Sequence, residues 1–239
     1  MTKCKELIGI DGCKYGWVAV SLNCSSVNLF KSLADLIHFN PENSMFMIDM
    51  PVGLANVDLT ERNCEMLTRK ILSKKRKPSL FSVPCREAIY ASSYEEANQI
   101  NKEIVKKGIS KQSWGIVPKI REVDQLLQSN RSLVDKIKES HPEVAFHFLN
   151  NQQSMEYNKK TDEGQQERLQ VLSNYSDKAE MIYNNSMCNF RRKHVSADDI
   201  LDSICLAVTL EEMVNSDKSF ETGNLDILGI PMKIHYFSK

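Results

Sequence analysis

Two short apolar runs each stop on an aspartate: Leu7-Ile-Gly-Ile-Asp-Gly12 and Met45-Phe-Met-Ile-Asp-Met-Pro51. Runs of this length closed by glycine or proline read as strands. A carboxylate carried into a core must be paired, protonated or bound to a metal, because isolated burial costs several kcal/mol. Asp11 before Gly12 suits a turn residue that accepts backbone N–H bonds. Asp49 suits a plain strand end before Pro51. A third reading joins them: two strand ends facing one another and sharing a cation.

The rest of the chain supplies a frame for that third reading. Gly16-Trp-Val-Ala-Val-Ser-Leu22 forms a hairpin with the first run through the glycine-bounded segment Gly12–Gly16, and Val27–Phe30 adds a third strand. Ser32–Phe39 has helical spacing, so the strand Met45–Asp49 returns parallel to a central one. Helices are expected over Leu59–Leu72, with Asp58 or Thr60 as N-cap, and over Ser92–Val105, Ser113–Asn130 and Asp162–Asn174. Residues from 57 to about 130 read as a largely helical insertion after the fourth strand. Leu133–Ser140 is the candidate fifth strand. A last helix runs from Ser196 or Ala197 to about Val214, and Met232–Phe237 alternates like a closing strand. The expectation is an α/β chain forming one domain over residues 1–239.

Composition narrows the function classes. The formal net charge is zero, so the molecule as a whole does not attract nucleic acid, and any such binding depends on local patches. Seven cysteines, an odd number without a C-x-x-C pair, argue for reduced thiols and a cytoplasmic protein rather than a disulfide framework or zinc ribbon. Met1-Thr-Lys-Cys-Lys5 opens no signal-like leader, and no apolar run is long enough to span a membrane.

The late helix opens with Ser196-Ala-Asp-Asp-Ile-Leu-Asp-Ser203. Asp199 and Asp202 are three apart and share one face near its N-terminus. Two like charges beside a buried face need compensation, and the helix dipole contributes only about 0.3–1 kcal/mol. Mg²⁺ or Mn²⁺ compensates better and retains positions for water and phosphate. Strand-end aspartates joined to such a helix suit two-metal phosphodiester hydrolysis. Glu143, just past the fifth strand, is a further candidate.

Several blocks together resemble a known family. These are Ile8-Gly-Ile-Asp-Gly-Cys13 with Gly16-Trp-Val-Ala-Val20, Ile48-Asp-Met-Pro-Val-Gly-Leu54, Ser110-Lys-Gln-Ser-Trp114 and Pro118-Lys-Ile-Arg-Glu-Val-Asp124. They continue with His141-Pro-Glu-Val-Ala-Phe146, Asn158-Lys-Lys-Thr161 with Gly164 and Arg168, and Asp198-Asp-Ile-Leu-Asp202. In this order they resemble the family of unknown function numbered four hundred and twenty-nine, described as predicted RNase H-like nucleases. The resemblance implies an RNase H-like fold, with a five-stranded mixed sheet flanked by helices. The late Asp-x-x-Asp is also similar to that of Holliday-junction resolvases. Cys13-Lys-Tyr15 departs from the small residues and arginine common there, and Ser203 replaces the usual alanine; neither removes a carboxylate.

The expected site is therefore Asp11, Asp49 and Asp199 or Asp202 holding Mg²⁺ or Mn²⁺, with Glu143 positioning water or a second ion. Asp198 is expected to cap the helix instead, and His141 to be structural, since no second histidine stands at a ligand spacing. Lys119, Lys160, Arg191 and Arg192 are the candidate substrate contacts; Arg121 and Lys159 bind phosphate or pair with carboxylates. Lys74–Lys77 reads as a solvated charge run, Trp114 and the methionines Met45, Met47 and Met50 as core, and Cys85 lacks a base that would make it a nucleophile. The expected function is a metal-dependent nuclease or phosphodiesterase acting on nucleic acid or a nucleotide. The rival is a non-catalytic nucleotide- or nucleic-acid-binding module. A sugar-kinase-like arrangement needs two copies of the fold, and the chain has room for about one.

Overall fold

The computed structural model describes residues 6–40, 42–214, 218–220 and 224–238. In chain order the strands are β1 (Leu7–Gly12), β2 (Trp17–Ser21), β3 (Ser26–Phe30), β4 (Met45–Ile48), β5 (Ile137–Glu139), β6 (Lys218–Phe220) and β7 (Ile234–Tyr236). The helices are α1 (Leu33–Phe39), α2 (Asn63–Ile71), α3 (Arg86–Ile89), α4 (Tyr94–Val105), α5 (Lys111–Ser129), α6 (Pro142–Leu149), α7 (Asp162–Ser173), α8 (Ala179–Asn189) and α9 (Ala197–Met213). The chain divides into two compact units, the first made of residues 1–49, 136–219 and 235–239, the second of residues 50–135 and 220–234.

The first unit is α/β, built on a five-stranded mixed sheet of order β3-β2-β1-β4-β5. Strands β1, β2 and β3 form an antiparallel meander, while β4 and β5 run parallel to β1. The tight β1–β2 connection is closed by reciprocal bonds between Cys13 and Gly16. Gly16 has φ +148°, and a Cβ there would lie 2.3 Å from the Phe30 carbonyl oxygen. That close approach requires glycine.

Helix α9 packs along β1 and β2. Every residue from Ile200 to Leu210 is buried. A helix apolar on nearly all sides belongs in an interior, and α6, α7 and α8 cover α9. Contact with the sheet is direct at Gly9, where a Cβ would stand 2.1 Å from the Ser203 carbonyl oxygen and 2.4 Å from the Ala207 nitrogen. The absent side chain lets the helix backbone rest on the strand.

The second unit carries α2 to α5. A buried polar group joins its two chain segments: Arg86 Nη2 pairs with Asp124 Oδ1 at 2.9 Å and Asp226 Oδ2 at 2.5 Å. Asp226 also accepts from the backbone nitrogens of Leu54, Leu228 and Ile230. Tyr90 and Gln128 donate to Asp124.

Several boundaries differ from the sequence expectation. The insertion expected at about 57–130 lies within the second unit, which also takes in residues 220–234. Helix α2 begins at Asn63 with neither Asp58 nor Thr60 as its cap; Asn56 Oδ1 instead accepts from the Leu59 nitrogen and forms a turn there. The fifth strand is only Ile137–Glu139, preceded by a 3₁₀ turn at Arg131–Leu133, because four-residue β4 offers no longer ladder. Strand β7 pairs with β6 as a separate two-stranded sheet.

Candidate functional site

The parallel ladder places the two strand-end aspartates side by side. Ile10 and Ile48 are register partners, and the Asp49 nitrogen donates to the Ile10 carbonyl at 3.0 Å, so Asp11 and Asp49 follow at the same end of neighbouring strands. Residues two apart on a strand share a face. Asp11 therefore points to the side where Gly9 meets α9, and Asp49 to the side where Met47 enters the α9 core. Asp11 Oδ1 accepts from the adjacent Gly12 nitrogen at 2.6 Å. The turn role and the shared face are both present.

The start of α9 distributes three carboxylates. Ser196 is the N-cap, and Asp199 completes a capping box by accepting from the Ser196 nitrogen at 2.9 Å. The expectation that Asp198 caps the helix is corrected: the hydroxyl two residues earlier takes that role, which leaves Asp198 facing Lys159 Nζ at 3.6 Å. Asp202, one turn further in, is buried, and its Oδ2 accepts from Lys159 Nζ at 2.6 Å. Of the Asp199–Asp202 pair, Asp202 is thus the member committed to the carboxylate group, while Asp199 stands at its edge.

Glu143 opens α6 after His141, whose Nδ1 accepts from the Glu143 nitrogen. Its Oε1 meets Nη2 of Arg168 at 2.7 Å. Arg168 is wholly buried on α7, donates to the Gly164 carbonyl and lies over the Phe146 ring. Glu143 is therefore neutralised by a guanidinium rather than left open as a ligand.

The electrostatics reflect this crowding. Burial raises the Asp11 carboxyl well above its ordinary range, with Asp49, Asp202 and Asp199 adding to the rise and Lys159 opposing it. Burial pushes Asp202 up to about 6, against the pull of Lys159 and with the help of Asp49 and Glu143. Asp49 is raised by burial and Glu143, while His141 and Lys159 lower it. Burial alone would lower the Lys159 ammonium, but Asp202 and Asp11 outweigh it and raise the value. Asp11, Asp49, Asp202 and Lys159 thus behave as one electrostatic unit.

Asp11, Asp49 and Asp202 offer oxygen donors only, which matches Mg²⁺ or Mn²⁺ and not zinc. Among the described residues, no three Asp, Glu, His or Cys side chains already surround one point as metal ligands do. The Lys159 ammonium stands in for a cation against Asp202. In donor chemistry the three carboxylates suit a hard divalent ion, and Lys159 holds the Asp202 oxygen that such an ion would need.

The expected basic contacts fall elsewhere. Lys160 is exposed next to Lys159, Arg191 and Arg192 are exposed in the turn after α8, and Lys119 lies on α5 in the second unit. Arg121 donates to the Ile89 and Ala91 carbonyls, closing α3 rather than presenting itself to phosphate. Trp114 is half-buried with its ring edge-on to Tyr94. Burial raises the Cys85 thiol to about 11, which makes it a poor nucleophile. Lys159 and Arg168 carry more of the site than their sequence context signals. Thr161 as cap of α7 marks both lysines before it as turn residues, but their order alone does not say which one turns inward.

No curated protein and no solved structure matches the chain. A family model described as a protein of unknown function, DUF429, matches residues 9–219, a span that begins at the glycine under α9 and contains all five carboxylates of the candidate site. The chain belongs to that family.

Proposed function

We propose that this protein is a metal-dependent phosphodiesterase or nuclease with an RNase H-like fold. The observation that carries the reading is the placement of Asp11 and Asp49 at adjacent parallel strand ends, on the face against which α9 brings Asp202. The sheet order, with a three-strand antiparallel meander followed by two parallel strands, supports the fold. The free thiols Cys13, Cys24, Cys64, Cys85, Cys188 and Cys205 suit a cytoplasmic setting. No helix among the described residues is long and apolar enough to cross a membrane.

In this reading Asp11, Asp49 and Asp202 hold Mg²⁺ or Mn²⁺, and Asp199 borders the group. When bound, such an ion would supply nucleophile activation and charge stabilisation for phosphodiester hydrolysis. A divalent ion binds the ionised carboxylates, so the raised values of Asp11, Asp49 and Asp202 couple ion binding to proton release. Arg168 fixes Glu143, and Glu143 orients water from the start of α6. The substrate class is a nucleic-acid strand or a nucleotide, whose phosphate negative charge a cation held by Asp11, Asp49 and Asp202 would offset.

The test is cleavage of a panel of DNA, RNA and hybrid strands by purified wild type and Asp11→Asn in Mn²⁺. Asparagine keeps the shape of Asp11 but removes its charge, so turnover should fall by orders of magnitude while strand binding persists. Equal cleavage by both proteins exposes a contaminant. Strand binding without cleavage by wild type favours the binding-module alternative.

A further inference from the structure

Lys159 is held in place by more than its ion pair. It sits in a turn where the Asn158 carbonyl accepts from both the nitrogen and the hydroxyl of Thr161, and Asn158 Oδ1 accepts from the Lys160 nitrogen. Gly164 closes against the turn: a Cβ there would lie 1.9 Å from the Asn158 carbonyl oxygen. The buried Arg168 reaches the Tyr157 carbonyl with the same guanidinium that binds Glu143. Local hydrogen bonds, a missing side chain and a buried cation therefore fix the backbone from which Lys159 extends. Its ammonium ends 2.6 Å from an Asp202 oxygen, and its charge acts on Asp11, Asp49 and Asp199 as well.

Such a contact serves two purposes. Burying several carboxylates near one another without a cation leaves repulsion that only protonation relieves. An ammonium on a flexible stem supplies the missing charge, yet it remains detachable: the Lys159 side chain is 36% exposed whereas that of Asp202 is 2% exposed. A divalent ion and an ammonium are both positive, and they cannot both take the same oxygen of Asp202.

We propose that Lys159 is a tethered counter-ion of the carboxylate group, occupying the place of a divalent cation and yielding it when one binds. This rests on the reading that these carboxylates bind such an ion. The lysine keeps the metal-free centre assembled and sets the metal concentration at which it fills. When the ion-competent state is a minor fraction, apparent affinity falls by that fraction. A lysine bound in nine molecules of ten weakens the metal by about tenfold.

The experiment uses the full chain as wild type, Lys159→Met and Lys159→Arg, with MnCl₂ binding followed by calorimetry and thermal melting at fixed ionic strength. Without metal, Lys159→Met should melt below wild type; saturating Mn²⁺ should close that gap, and its Kd should be tighter by about tenfold or more. Lys159→Arg keeps the cation and offers a forked donor, so its Kd should equal or exceed that of wild type. A purely structural lysine would lower the melting temperature with and without Mn²⁺ alike. If wild type binds Mn²⁺ and Lys159→Met binds it no more tightly, the counter-ion role is overturned and the metal reading stands. If neither binds Mn²⁺, the metal reading fails and takes this proposal with it. Should Lys159→Met not fold, a Kd for Lys159→Arg tighter than that of wild type overturns the proposal.

Discussion

Asp199 turns back to cap its own helix, while Asp202, one turn on, meets Lys159. Spacing puts both on one face but does not distinguish them, because the choice depends on Ser196 offering a partner at the helix start. The aspartates were legible as a set: apolar runs ending in carboxylates need an explanation in any fold. The choice of Lys159 over Lys160 was not, since it turns on packing between Gly164 and Asn158. Arg168 was visible only as part of a resemblance; its burial against Glu143 gives it a measurable consequence. Arg168→Met should remove the guanidinium that faces the buried Glu143 and cost about 3–5 kcal/mol, read from urea midpoints. Adding Glu143→Gln should recover much of that loss, because the carboxylate charge is then gone.

Among elements, α9 was the clearest in the sequence, because its residues are apolar on nearly every side, and its bounds lie within a residue of the expected ones. Helix α8 is masked in the sequence. Its buried residues Ala179, Ile182, Tyr183 and Ser186 do keep helical spacing, but asparagines and a serine mask the pattern. The short β5 was overextended because a ladder's length is set by its neighbour, which local sequence does not carry. The seat of α9 on β1 is the element most exposed to a single change. Gly9→Ala places a Cβ against backbone on both sides, so the helix must lift. We expect a loss of at least about 1–3 kcal/mol in urea unfolding, together with weaker Mn²⁺ binding, since Asp202 shifts away from Asp11. An unchanged midpoint would mean that the helix tolerates displacement there.

At the scale of the whole chain, the carboxylate group predicts how stability responds to acid. Asp11, Asp49 and Asp202 have folded values above their unfolded ones, so the folded state holds more protons between the ordinary carboxylate range and about 6 for Asp202. Their contribution is fully present below the unfolded value and is lost as pH rises through the folded one. In EDTA, the melting temperature of wild type relative to Asp202→Asn should therefore rise as pH falls from about 7 to about 5. In saturating Mn²⁺ the trend should reverse, because the ion binds only the deprotonated group. The same slope for both proteins in EDTA would refute the crowding.

Division of the chain into two units left little trace in the sequence, because Arg86 and Asp226 find one another across most of the chain. That junction bears on inheritance. A stop codon just after α9 would spare every carboxylate and basic residue of the candidate site. It would delete Asp226, and with it the acceptor for Leu54 and a partner of Arg86, so the second unit would lose the anchor of its first segment. Such an allele would keep an intact set of site residues on paper and still yield a defective product.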